Sequence, residues 1–158
     1  MTPPPSEHAP AARDLCARER FGTLATLARD PSGYPFASVA AYALGADGQP
    51  LLLLSQLAEH THNLLADSRA SLLVTETPRK GVPSPLALAR VTLIGDVEPV
   101  PPAEGDAARE AYLRVHPEGA RYLELDFSFY RLRLRGARYV GGFGRMSWID
   151  APALTPPP

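Results

Sequence analysis

Three features are scarce in this 158-residue chain, and each absence excludes a class of protein. Cys16 is the only cysteine, so no disulfide forms within the chain. No apolar run approaches the roughly 20 residues that cross a bilayer as a helix, so we expect no membrane partner. The formal net charge of −1 gives no electrostatic basis for binding nucleic acid.

The first residues, MTPPPSEHAPAARD, lack the basic start and the apolar stretch of a secretory signal. Together with the lone cysteine, this indicates a cytoplasmic protein. We expect no membrane and no nucleic-acid partner there.

Proline, by contrast, is abundant. Of the 18 prolines, eight lie at the two ends of the chain. Such segments favour extended, solvated backbone and rarely join a core. We therefore predict flexible tails at 1–9 and 152–158 around one domain at 10–151, which is long enough for a sizeable core.

The hydrophobic pattern indicates a chain made mostly of strands. Apolar runs bounded by turn signals predict strands at 22–28, 35–44, 51–55, 72–76, 88–97 and 127–140, and helical spacing predicts helices at 10–20, 58–67 and 103–115. The strand at 35–44 carries small or apolar residues on both faces, so we expect it to be covered on both sides. Because the strands follow one another through turns, the predicted fold class is mainly β with peripheral helices, an antiparallel barrel.

Polar side chains gather where the strand at 51–55 runs into the helix at 58–67. Ser55 ends the strand, and His60 and Thr61 lie in the first turn of the helix. Bare backbone N–H groups and the helix dipole favour an anion at such a place, so the segment predicts a phosphate cradle. The alternative is an ordinary first helical turn without a ligand, and the residues alone leave both open.

The order of these parts resembles the flavin mononucleotide (FMN)-binding split barrels related to pyridoxamine 5′-phosphate oxidase. The pattern SxLAxHTxNL from Ser55 onwards and the C-terminal run VGGFGRMSWI are similar to the short, haem-utilisation-like branch of that family. The resemblance implies an antiparallel split β-barrel that forms a homodimer, with FMN at the subunit interface and a small-molecule redox substrate. The positions that it implies for FMN binding are Ser38, Ser55, His60, Thr61, Asn63 and Arg90.

Ser38 and Arg90 take their roles from this resemblance. The oxidases have a phosphate-binding arginine where this chain has Ser38, and the alternative for a buried serine is a hydrogen bond to neighbouring backbone. Arg90 begins a strand whose counterpart reaches the flavin, often from the second subunit. Its guanidinium offers the positive charge that Ser38 lacks, and a solvated strand-end arginine is the alternative.

The glycine-dense segment that begins at Gly141 leaves two interpretations open. Its glycines let the backbone approach a flat ligand or a partner subunit, with Phe143 and Trp148 stacked near the flavin ring. The interpretation that we favour is a C-terminal segment that packs these aromatic residues onto the barrel.

No side chain stands out as a general acid or base, so we name no catalytic residue. The function that we predict is an FMN-binding flavoprotein, an oxidoreductase of unknown substrate. The alternatives are a haem-binding or haem-degrading protein of the same fold, a non-catalytic flavin-binding module, and a deazaflavin in place of FMN.

Haem raises the question of an iron ligand. Haem-degrading relatives use a C-terminal histidine, and this chain has no histidine after His116. An axial ligand therefore has to come from His116, His60 or His62. Since His60 and His62 do not share a helix face, we expect no separate metal site.

Overall fold

Antiparallel strands dominate the computed structural model, which describes residues 6–156. The strands are β1 (Phe21–Leu27), β2 (Pro35–Leu44), β3 (Pro50–Ser55), β4 (Arg69–Thr75), β5 (Arg90–Pro99), β6 (Phe127–Val140) and β7 (Met146–Asp150). They pair in the order β3-β2-β1-β4-β5-β6-β7, and β3 also pairs with β6. This last pairing closes six strands into a barrel, which confirms the predicted antiparallel barrel; β7 is an additional strand beside β6 that the sequence patterns did not predict.

Five α-helices of the described chain lie at the periphery of the barrel. They are α1 (Ala9–Arg18), α2 (Glu59–Ala66), α3 (Gly105–Val115), α4 (Gly119–Tyr122) and α5 (Ala151–Leu154). The hydroxyl of Tyr42 on β2 donates a 2.7 Å hydrogen bond to the Cys16 carbonyl and ties α1 to the barrel. Between residues 6 and 156, the helices are all too short or too polar to cross a membrane.

Leucines from five of the strands form the centre of the core. They are 0–1% exposed and belong to one cluster: Leu24, Leu52, Leu72, Leu93 and Leu132. Burying each such side chain contributes about 1.5–3 kcal/mol, so the alternation of apolar residues along the strands accounts for which face points inwards.

The strand pair β5–β6 contains one irregularity, at Ile94 and Gly95, where the register shifts. A Cβ atom at Gly95 would overlap the carbonyl oxygen of Arg133, so only glycine fits this position. Irregularities of this kind bend a strand and increase its twist, which a small closed barrel needs.

The packed region extends beyond the boundary predicted at residue 151. Leu154 on α5 is 5% exposed within the core cluster, and Arg13 Nη1 donates a 2.6 Å hydrogen bond to the Ala153 carbonyl. A helical turn at the end of β7 thus brings apolar side chains back onto α1. Residues 1–5 and 157–158 of the predicted tails lie outside the described residues.

Strand β2 is not covered on both sides in the single chain, so that prediction is wrong for one subunit. Val39 on its outward face is 74% exposed. The physical reason is that α3 packs on this face only near Ala43, and Ala37 and Val39 stay exposed. The edges of β2 also differ along its length: residues 35–41 pair with β1 on one edge only, and β3 joins the other edge only from Tyr42 to Leu44. The free edge of β2 forms a split in the barrel, and the start of α2 lies beside it.

Candidate functional site

The junction between β3 and α2 is held together by internal hydrogen bonds. The Ser55 hydroxyl donates to Asp126 Oδ2 at 2.6 Å, and the Leu57 amide lies 3.2 Å from the same oxygen. The hydrogen bond from Ser55 is the largest cause that lowers the pKa of Asp126, so its carboxylate is ionised at neutral pH. A negative charge of the protein itself therefore lies beside Ser55, one of the residues predicted to contact an anion.

Two of the predicted ligand contacts, Thr61 and Asn63, are fully buried. Thr61 Oγ1 donates a 2.6 Å hydrogen bond to the Ser55 carbonyl. Asn63 Nδ2 donates to Thr26 Oγ1 at 3.1 Å, and its Oδ1 accepts from the Arg29 amide at 3.2 Å. Both side chains thus attach α2 to the barrel, and the single proton of the Thr61 hydroxyl is already donated within the chain.

The structure brings Ser38 and His60 together at the split of the barrel. Ser38 Oγ lies 3.0 Å from His60 Nδ1, although the two residues come from different elements. Both side chains are half-buried, and burial lowers the pKa of His60 below its ordinary value of 6.5. The imidazole is therefore neutral at neutral pH, and its Nε2 has no protein hydrogen-bond partner within residues 6–156.

The other two histidines considered as ligands have different surroundings. His62 Nδ1 lies 3.4 Å from Arg29 Nη2 on the surface of α2. His116 is buried, with Nε2 2.8 Å from the Tyr42 carbonyl oxygen and Nδ1 3.2 Å from Glu118 Oε1. Both ring nitrogens of His116 are thus engaged inside the protein.

Arg90 does not join the Ser38–His60 pair within one chain. Its Nη1 donates to the carbonyl oxygens of Leu86 and Leu88, at 3.2 and 3.4 Å, and so fixes the loop before β5. Strands β1 and β4 lie between β2 and β5 in the sheet, so Ser38 and Arg90 lie on strands that are not neighbours.

An exposed row of side chains crosses the outer face of the sheet, away from the core. The cross-strand register places Val39, Thr23, Leu73, Thr92, Arg138 and Trp148 opposite one another in turn; we call them the outer row. Its two ends are open, since Val39 is 74% and Trp148 66% exposed. Phe143 is 78% exposed as well, so the interpretation that Phe143 and Trp148 pack onto the barrel is wrong for the single chain.

Sequence reasoning missed Asp126 and Arg29. Asp126 lies 71 positions from Ser55, and only the pairing of β3 with β6 brings them together. No local signal marks such a contact. Within residues 6–156, no group of three or more histidine, cysteine, aspartate or glutamate side chains is arranged to hold a metal ion.

Comparison with solved structures identifies the fold. A haem-binding protein from Mycobacterium smegmatis superposes with a TM-score of 0.86 at 39% identity, over 98% of this chain and 61% of that one. A pyridoxinephosphate oxidase-family protein from Clostridium acetobutylicum superposes with a TM-score of 0.67 at 12% identity, which shows the fold alone, over 94% of this chain and 97% of that one. The predicted resemblance to the split-barrel proteins is thereby confirmed.

Comparison with sequences identifies the family. The "Non-canonical heme oxygenase HOZ, chloroplastic" of Arabidopsis thaliana is 40% identical over 123 residues, which are 77% of this chain and 36% of the plant protein. This chain thus spans about a third of the length of the plant protein and about three-fifths of the length of the mycobacterial protein. The family model described as "CREG, beta-barrel" matches residues 3–154, nearly the whole sequence. The chain therefore belongs to the CREG β-barrel family, whose structural neighbours share the split-barrel fold.

Proposed function

We propose that this protein binds haem at the split of the barrel, beside Ser38 and His60. The observation that carries the proposal is a half-buried, neutral imidazole with an unpartnered nitrogen next to the free edge of β2. Neutral imidazole is a common protein ligand of iron. The two relatives at 39% and 40% identity, which carry haem in their names, support the choice of this cofactor.

Haem bound there supplies a redox-active iron, and the residues of this chain supply its orientation and surroundings. The exposed apolar side chains at the split suit a flat hydrophobic ring. Leu57, two residues before the start of α2, is 80% exposed, and Phe36 is partly exposed on the same face of β2 as Ser38. An apolar ligand that covers such side chains removes them from water, which favours binding.

FMN, the cofactor predicted from the sequence, is the second candidate, in a flavin-dependent oxidoreductase acting on a small-molecule substrate. The uncapped start of α2 favours it, since the N-cap residue Ala58 makes no side-chain hydrogen bond and leaves first-turn N–H groups for an anion. The donors at the junction fit a phosphate poorly. The hydroxyl protons of Ser55 and Thr61 are donated internally, and the ionised Asp126 repels a phosphate dianion.

Titration with haemin and with FMN separates the two candidates. We expect a Soret band that saturates at one haemin per subunit and survives desalting, and little quenching of FMN fluorescence. If FMN binds saturably and haemin does not, the flavin proposal replaces the haem proposal. A protein that binds neither cofactor would contradict both.

We also propose that the protein acts as a homodimer in the cytoplasm, with the second copy on the outer row. A sheet face with large exposed apolar side chains is typical of a surface that a partner covers. The second copy is the occupant that suits it, because a symmetric contact would cover the two exposed ends of the row, Val39 and Trp148, at once. It would also bring Arg90 of one subunit towards the split of the other.

Two matched substitutions, each of which replaces an exposed alanine by glutamate, test the dimer. Ala37→Glu places a charge on the outward face of β2, two residues from Val39, and Ala107→Glu places the same charge on the exposed surface of α3. Burying an unpaired carboxylate is costly, so we expect Ala37→Glu to give a monomer by light scattering and Ala107→Glu to leave a dimer. A monomeric wild type would contradict the proposal directly.

A further inference from the structure

We propose that His60 is the axial ligand of the haem iron, bound through Nε2, and that Ser38 positions its ring. This inference rests on the proposed function and makes it specific to one residue. It comes from the hydrogen-bond partners of the four histidines in the chain, all of which lie within residues 6–156.

The partner of one imidazole nitrogen decides what the other can do. A neutral imidazole carries one proton, and only the unprotonated nitrogen offers a lone pair to a metal. At His62, Nδ1 lies 3.4 Å from Nη2 of Arg29. A guanidinium only donates, so this contact forms only while Nδ1 accepts and the ring proton is on Nε2, which disfavours iron binding through the exposed Nε2 of His62.

His116 is excluded by a similar argument. Its Nε2 faces the Tyr42 carbonyl oxygen at 2.8 Å, which only accepts, so Nε2 must carry a proton. Its Nδ1 faces the Glu118 carboxylate, and the side chain is buried. Neither nitrogen is open to a haem.

His8, in the N-terminal segment, has both nitrogens near polar groups. Its Nδ1 lies 2.6 Å from Ser147 Oγ, which in turn lies 2.8 Å from Ser6 Oγ. Its Nε2 lies 3.8 Å from Glu7 Oε1, too far for a hydrogen bond, and its ring lies 5.6 Å from the ring of Tyr139 on β6. His8 thus lies beside β6 and β7 and not beside the free edge of β2.

His60 differs because its partner is a hydroxyl. The Ser38 oxygen, 3.0 Å from Nδ1, can accept a proton as well as donate one. When Nδ1–H donates to Ser38, Nε2 keeps its lone pair and has no protein hydrogen-bond partner within the described chain. Metal-bound histidines commonly donate their second N–H to an acceptor in this way, which fixes the ring and raises its basicity.

Haemin spectra of single variants test the ligand. We expect His60→Ala to lose the nitrogen-ligated spectrum of the wild type and to regain it when free imidazole is added. His62→Ala, a matched histidine on the same helix, should keep the wild-type spectrum. Because His60→Ala can fold poorly, His60→Met serves as a second variant, in which a thioether ligand should give a distinct spectrum.

The role of Ser38 has its own measurement. Ser38→Ala should keep histidine ligation but weaken haemin binding by roughly 10- to 100-fold, the usual effect of removing such a partner. The iron–histidine stretching frequency in the resonance Raman spectrum should also fall, because the imidazole loses the hydrogen bond that made it more basic. If Ser38 had only a structural role, the iron–histidine stretching frequency would be the same in Ser38→Ala and the wild type.

The outcomes distinguish this inference from the proposed function. A wild type that binds no haemin refutes both. A wild type that binds haemin with a spectrum unchanged in His60→Ala and His60→Met refutes the ligand assignment alone. An unchanged affinity and stretching frequency in Ser38→Ala refutes the positioning role of the serine.

Discussion

Thr61 offers the sharpest test of how the junction between β3 and α2 works. Its side chain is fully buried, and its hydroxyl donates a 2.6 Å hydrogen bond to the Ser55 carbonyl. Thr61→Val keeps the shape of the side chain and removes only the donor. The Ser55 carbonyl keeps its hydrogen bond from the Ala58 amide, at 3.2 Å, so the variant loses one hydrogen bond without leaving the acceptor unpaired. A hydrogen bond within a protein contributes about 0.5–1.5 kcal/mol to stability.

This cost predicts a measurable loss of stability. A protein of this size loses about 2–4 °C of melting temperature per kcal/mol, so Thr61→Val should melt about 1–6 °C below the wild type. The matched control is Thr75→Val, at an exposed position of β4, which should stay within about 0.5 kcal/mol of the wild type. Urea unfolding followed by circular dichroism measures both variants.

Ligand titration of the same variant separates a structural role from a phosphate contact. If the Thr61 hydroxyl instead donated to the FMN phosphate, the variant would lose a charge-assisted hydrogen bond of about 1.5–3 kcal/mol, and FMN binding would weaken roughly 10- to 150-fold. The affinity for riboflavin, which has no phosphate, would not change. If the wild type binds FMN, we expect the ratio of FMN to riboflavin affinity to be the same in Thr61→Val. An unaltered melting temperature with a reduced ratio would refute the reasoning.

Three further predictions concern the core, the split and the barrel irregularity. Burial raises the pKa of the Cys16 thiol to about 12, so a thiol reagent at mildly alkaline pH should label Cys16 only in denaturant; rapid labelling of the native protein would contradict this. Because burial lowers the pKa of His60, the folded state takes up fewer protons than the unfolded state. Above pH 6.5 the imidazole is neutral in both states. As the pH falls through 6.5 and then through the folded-state pKa, the unfolded state takes up the proton first and the folded state loses stability. The urea midpoint should therefore drop on acidification, and should drop less in His60→Gln. Gly95→Ala forces a Cβ against the Arg133 carbonyl and should destabilise by at least about 1–3 kcal/mol, whereas Gly105→Ala, with open space around its Cβ position, should be neutral or stabilising; similar melting temperatures for the two would be unexpected.

The elements that the sequence predicts well are those with strong local signals. The strand Pro35–Leu44 has the predicted bounds because a turn precedes it and a glycine follows it, and α3 ends before His116-Pro117 because a residue before proline avoids helical geometry. β7 was missed because its five residues are short and open to solvent on alternate positions, a pattern that many loops share.

The candidate site was harder to predict, for a different physical reason. The pattern around His60 located the right segment, but it does not reveal which way each side chain points. Thr61 and Asn63 turn inwards, whereas His60 turns towards Ser38 on another strand. Asp126 changes the charge of the site through a contact that only barrel closure creates.

The closure between β3 and β6 also has a consequence for the biogenesis of the protein. β3, with the sequence PLLLLS, is almost wholly buried in the native barrel, and the edge that β6 covers has no partner until that strand has been synthesised. An apolar strand with an open edge is a template for pairing with other chains. During translation, β3 therefore has no partner on this edge while β4, β5 and α3 are synthesised. We expect chains released before β6 to aggregate, and we expect a chaperone that shields strand edges to act on the nascent chain during this interval.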